Sequence, residues 1–201
     1  MGTAERRQRE REQRRIDIID AAERIIFSKG LSEATMDEIA ETAELSKGTL
    51  YLYFESKDDL YMAIVFRGLG ILTGMFKDAV SGCDSGIEMV RAIGQAYIEF
   101  YNRYPDYFKA LVHYHGQKTD YFSDKEPLEI LIAAIRKGID DGSLRSDLDP
   151  GKTAIILWGQ TTGILQISSM WCKAIEDSFA IDTADIIAYY FEHTAKALRA
   201  E

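Results

Sequence analysis

The chain is poor in cysteine, proline and histidine. Its two cysteines, Cys83 and Cys172, give no disulfide framework and no zinc-ligand spacing. Three prolines in 201 residues leave long stretches free to coil into helices. The first 15 residues are charged, with no apolar segment behind them, so no secretory leader is expected and the chain reads as cytoplasmic and reduced. No long, uniformly apolar run exists either. The longest uncharged stretch, Thr153 to Cys172, spans 20 residues, but nine of these are Gly, Gln, Ser or Thr. A buried or interface helix is expected there, and no membrane span. Excess positive charge is missing too: the net charge is −9, which taken alone argues against nucleic acid.

Charge distribution changes that reading. Residues 1–57 hold 10 basic and 12 acidic side chains, whereas residues 58–201 hold 14 and 21. Most of the excess acid therefore lies at the back, and the front can still present a basic face. Apolar residues make up 46% of the chain, enough for a core and too many for a disordered protein.

The N-terminal run TAERRQREREQRR contains six arginines and no apolar stripe. It reads either as a solvated helical extension or as an arm for phosphates. Ile16, Ile18, Ile19, Ala22, Ile25 and Ile26 then recur at helical spacing, and Gly30 reads as a stop. Thr35 followed three residues later by Glu38 is a capping box that opens a short helix. A turn, Glu-Leu-Ser, leads to Ser46, the expected cap of a second short helix from Lys47 to about Tyr53. Ser56 caps a third, with Asp58 and Asp59 in its first turn.

Helix, short turn and second helix make a helix-turn-helix. Leu50 and Phe54, four apart, face inward, which turns Lys47, Gly48, Thr49, Tyr51 and Tyr53 largely outward. Such a face suits a DNA major groove. Gly48 admits close backbone approach, Thr49 and the tyrosines offer hydroxyls and rings, and Lys57 adds a phosphate contact. The remaining chain reads as longer helices, giving about nine in an all-α protein with no convincing strand. The expected division is 1–57, an arm and three-helix DNA-binding domain, and 58–201, a helical ligand-binding and dimerisation domain.

The segment TMDEIAETAELSKGTLYLYFESKDDL resembles the DNA-binding region of TetR/AcrR-type transcriptional regulators, and the likeness runs well from residue 16 to 62. GSLRSDLDPGKTAIILWGQTTGI is similar to that family's link into the penultimate helix. The resemblance implies a homodimeric regulator of double-stranded DNA, usually a repressor, on a palindromic operator. It places DNA contacts at Thr35, Lys47, Gly48, Thr49, Tyr51, Tyr53 and Lys57. Leu52 stands where many relatives carry a polar or His side chain; it either touches bases through its apolar surface or packs.

Nine aromatics crowd residues 97–122. They read as ordinary core or as the lining of a cavity for a flat, apolar effector, the reading the resemblance favours. Tyr97, Tyr101, Tyr104 and Phe108 lead the candidates by spacing, with His113, Trp158 and Gln166 beside them. His113 and His115 diverge on a helix, and neither a metal nor a cofactor is expected. Gly159 and Gly163 permit close helix approach, and Ile187, Tyr190, Phe191, Thr194 and Leu198 lie on an apolar stripe of the last helix. Two helices from each subunit would make a four-helix dimer interface; burial inside one subunit is the other reading.

A ligand-responsive DNA-binding regulator is thus expected. No nucleophile, base and orienter set, and no phosphate loop, supports an enzyme. The alternative is a helical adaptor whose helix-turn-helix no longer binds DNA.

Overall fold

The computed structural model describes residues 2–113 and 125–200, apart from the side chains of Thr3 and His113. Among the described residues the chain forms nine helices: α1 (Thr3–Lys29), α2 (Met36–Thr42), α3 (Lys47–Tyr51), α4 (Lys57–Val80), α5 (Gly86–Arg103), α6 (Pro105–His113), α7 (Glu126–Asp140), α8 (Pro150–Phe179) and α9 (Thr183–Leu198). Contacts divide them into two units. One holds residues 2–68 with 109–113, the other 69–108 with 125–200, so α4 runs through both.

In the first unit, α1 buries Ile18, Ile19, Ala21, Ala22 and Ile26, while Ile39, Ala40, Leu50, Leu60, Ile64 and Val65 close the core from α2, α3 and α4. Burying each large side chain contributes about 2 kcal/mol. The capping box forms as the sequence implies: the Thr35 hydroxyl accepts from the Glu38 amide, and the Glu38 carboxylate accepts from the Thr35 amide. Helix α2 then stops on Glu44, whose φ of 55° is left-handed, and the Leu45 amide donates back to the Ala40 carbonyl. The Asp59 amide donates to the Ser56 hydroxyl at the start of α4.

In the second unit, α5 and α7 touch almost backbone to backbone. A methyl placed on Gly86 would lie 2.0 Å from the Gly138 nitrogen. Asp141, just past α7, ties this junction by accepting from the Gly86 amide at 2.8 Å. Asp149 caps α8 by accepting from the Lys152 amide, with Pro150 at the first helical position. The Arg145 amide donates to the Leu198 carbonyl and fixes the end of α9.

By length and composition, α4 is the helix among the described residues able to cross a membrane, with a mean hydropathy of 1.4 over its best window. More than half of that window is buried in protein, which is the state of a core helix. The stretch from Thr153 to Cys172 lies within α8 and does not pass the same test.

Candidate functional site

Helix α3 has five residues, too few to hold its own shape. Its order is imposed from both ends. At its start the Ser46 hydroxyl accepts from the Thr49 amide at 3.1 Å and bonds the Thr49 hydroxyl at 2.8 Å. Near its end, Leu50 is fully buried and Phe54 nearly so. The helix closes at Tyr51, two residues earlier than the sequence suggests. Leu52 and Tyr53 form a turn whose amides donate to the Thr49 and Leu50 carbonyls.

What remains outward is Lys47, Gly48, Tyr51 and Leu52, all exposed, with Thr49 and Tyr53 half-buried and Thr35 exposed at the start of α2. Leu52 is 76% exposed, which removes the packing alternative within this chain. Two cations of this surface already have partners. Lys47 Nζ lies 2.6 Å from Asp37 Oδ1, and that hydrogen bond raises the lysine pKa above its ordinary value. Lys57 donates to the Ala34 carbonyl at 2.9 Å and the Ser32 carbonyl at 3.3 Å. It therefore braces the loop before α2, and an ammonium has one further proton to give. Glu38 is held below the usual carboxylate range by Lys29 first and Thr35 second. Hydroxyls, two ammonium groups and one bare leucine thus share a surface built on a rigid three-helix unit. That arrangement can place donors on phosphates and a side-chain row in a groove.

The second unit gathers part of the aromatic set. Tyr97 is buried, and its hydroxyl accepts from Trp158 Nε1 at 3.3 Å and bonds the Thr162 hydroxyl at 2.9 Å. Burial pushes the Tyr97 phenol above its ordinary pKa, while Thr162 and Trp158 pull the other way. Phe76 meets the Tyr97 ring edge-on at 6.3 Å, Phe108 meets it at 5.9 Å, and Tyr101 meets Phe108 edge-on at 4.9 Å. Tyr104 joins a different group, with Phe100 at 5.7 Å and Tyr107 at 6.3 Å. Gln166 is half-buried on α8, two turns beyond Trp158. The His113 side chain, and all of His115, lie outside the described residues.

Two residues were not singled out from sequence. Phe76 is one. The other is Thr73, whose buried hydroxyl has no hydrogen-bond partner among the described residues. A polar residue inside the apolar run of α4 was the available signal.

Residues 18–64, the span of this helix-turn-helix unit, match the family of bacterial regulatory proteins, tetR family. The HTH-type transcriptional repressor KstR2 of Rhodococcus jostii is 30% identical over 145 residues, which cover 68% of this chain and 70% of that protein. The chain belongs to the TetR family. Its fold agrees with solved TetR-type structures. The ketosteroid transcriptional regulator KstR2 of Mycobacterium tuberculosis superposes with a TM-score of 0.62 at 19% identity, covering 94% of this chain and 96% of that one. FadR from Bacillus subtilis, in complex with stearoyl-CoA, superposes at 0.70 and 18% identity, covering 88% and 95%.

For a TetR-family chain the last two helices are of interest, and here the sequence stripe divides. Tyr190 bonds the Thr161 hydroxyl at 3.0 Å, the Phe191 ring fills the space over Gly94, and Leu198 is buried. These three serve the subunit's own packing. Ile187 and Thr194 are half-buried, Gly159 is exposed, and no neighbouring atom lies within 4 Å of a methyl built on Gly159 or Gly163. The large apolar side chains left exposed on α8 and α9 are Ile155, Ile156, Ile167, Met170, Trp171, Phe179 and Tyr189, together with Trp158, which is 37% exposed. Between Thr153 and Cys172 the polar side chains of α8 are uncharged Thr, Gln and Ser spread around the helix, so no charged stripe orients it and sequence spacing missed the exposed row.

Proposed function

We propose that this chain is a ligand-responsive repressor that binds a palindromic DNA operator as a homodimer in the cytoplasm and leaves it when an apolar or aromatic effector binds. The observation that carries the reading is the outward row of Lys47, Gly48, Tyr51 and Leu52 on a capped recognition helix whose inward residues are buried. Thr35, Lys47, Thr49, Tyr53 and the spare proton of Lys57 would engage phosphates, and Tyr51 and Leu52 would meet base edges, the leucine against thymine methyl groups.

The domain boundary belongs in the same proposal. Helix α4 begins in the first unit and continues into the second. An effector against Tyr97, Tyr101, Phe108, Trp158 and Gln166, with Tyr104 and His113 as further candidates, would displace α4 through Phe76. The two recognition helices of a dimer must sit about 34–36 Å apart, or a multiple, to enter successive major grooves. A shift of a few ångströms then lowers affinity. Relatives named for ketosteroid regulation and solved with stearoyl-CoA support an apolar effector. The exposed apolar row of α8 and α9, with Gly159, Gly163, Ile187 and Thr194, would meet its copy across the dimer axis. Tyr190, Phe191 and Leu198 would stand behind it.

The test is a mobility shift on DNA upstream of the protein's own gene, at about 0.15 M salt, where the Debye length is near 8 Å. Tyr51→Ala and Lys47→Ala accompany the wild type. A tight shift weakened by both variants supports the reading. Absence of any shift there, and of any enrichment from random-sequence DNA, overturns it.

A further inference from the structure

We infer that the arginine-bearing extension of α1 is a rigid arm that grips the DNA backbone flanking the segment read by α3. The inference rests on the DNA-binding reading above and adds a second contact surface to it.

Helix α1 does not begin at the core. It runs unbroken from Thr3 to Lys29, and its first buried residue is Ile18. The segment from Thr3 to Arg15 therefore projects about 20 Å beyond the packed part, the span of roughly six base pairs. An isolated helix of that length would fray in water, but this one grows out of a packed helix and needs no nucleation.

The arginines on it are sorted by face. Arg6 is paired with Glu10 at 3.3 Å, and Arg9 donates to the Glu5 carbonyl. Arg7, Arg11 and Arg14 recur at helical spacing with Ile18, Ala22 and Ile25. They continue outward the same stripe that, further along, faces the core. The side of α1 that packs on its neighbours thus becomes, past the edge of the unit, an exposed basic stripe. Arg15 marks the junction: its guanidinium lies 5.0 Å from the centre of the Phe54 ring, directly after the recognition helix and its turn. The stripe begins where the reading head ends, and Glu5 and Glu12 occupy the opposite side of the helix.

Arg7, Arg11 and Arg14 are all exposed, and among the described residues none of them has an ion-pair partner. A row of phosphates would supply the missing anions, with no dependence on base sequence.

The experiment compares the full-length wild type with the triple variant Arg7→Gln, Arg11→Gln, Arg14→Gln. Glutamine keeps helix propensity close to that of arginine. A control variant, Arg91→Gln, Arg136→Gln, Lys173→Gln, removes the same charge from exposed positions elsewhere. Binding is measured across a salt series on the bound operator with its natural flanks and on the same operator trimmed at both ends. Each lost phosphate contact reduces the slope of log K against log salt by about 0.9, so three per protomer, and hence twice that number in the dimer, reduce it by about 5. The expected result is that reduction for the arm variant on flanked DNA, little difference from wild type on trimmed DNA, and an unchanged preference for operator over random sequence. Equal salt slopes for wild type and arm variant on flanked DNA overturn the arm. So does an equal loss in the control variant, which would mark a general charge effect. If the wild type binds no DNA at all, the arm falls together with the regulator reading.

Discussion

Lys47 and Asp37 face each other across the helix-turn-helix at 2.6 Å, both well exposed. A cation on the outward side of α3 is held by an anion of α2, and in the proposed complex a phosphate would compete for it. Asp37→Asn releases Lys47 and removes a negative charge from the approach to DNA. Operator affinity is expected to rise about twofold to fivefold, the range of exposed ion pairs. The salt dependence should steepen at the same time. Isothermal or fluorescence titration at two salt concentrations checks both; unchanged affinity would mean that Lys47 takes no part in binding.

Thr73 is buried within α4. Its hydroxyl lacks a partner among the described residues, and such a group costs about 1–3 kcal/mol. Thr73→Val keeps the shape and removes the polar atom. The variant should be more stable than wild type by about 1 kcal/mol in denaturant unfolding. If the hydroxyl receives a polar atom of the effector, the same variant should need more effector for release from DNA. A stability gain with an unchanged effector response would place Thr73 outside the effector site.

Gly86 permits an approach that no other residue allows. The atoms its methyl would strike are backbone, the Gly138 nitrogen and Cα at 2.0 and 2.2 Å, and backbone cannot swing aside as a side chain can. Gly86→Ala should therefore cost about 3 kcal/mol or more, at the upper end of overpacking. Thermal unfolding followed by circular dichroism checks this, and Gly74→Ala, where no neighbour lies within 4 Å, should show no comparable loss.

Asp141 gives the second unit a defined acid sensitivity. The Ser143 hydroxyl, then the Gly86 and Ser143 amides, hold its carboxyl at about 2, below the ordinary 3.8. A lowered folded-state value means that protonation favours unfolding. The stabilisation is complete above about pH 4 and fades as pH falls through about 2. Asp141→Asn should unfold more easily than wild type at pH 7, and the difference between the two should shrink in acid. A difference that stays constant from pH 7 to pH 2 would refute the assignment.

The parts legible from sequence were those with local causes. Thr35 with Glu38, Ser46, Ser56 and Asp149 with Pro150 each mark a helix start through atoms a few residues apart, and each forms as expected. The inward pair Leu50 and Phe54 followed from helical spacing alone. Partners distant in sequence were not legible. That Lys57 braces Ser32 and Ala34 depends on how α4 packs beside the loop before α2. The aromatic spacing of α5 was readable, but not that Tyr104 turns to Phe100 while Tyr97 and Tyr101 meet Phe108. The arginine run left a choice between a solvated helical extension and an arm, and the unbroken helix from Thr3 agrees with both.

The shortness of α3 has a consequence for how such a protein changes over generations. Lys47, Gly48, Tyr51 and Leu52 contribute almost nothing to the core, which is closed beneath them by Leu50 and Phe54. If that row reads DNA as proposed, substitutions on it would alter which sequence is recognised while folding proceeds as before. A duplicated copy could drift to a new operator one exposed side chain at a time, with each intermediate still a folded protein.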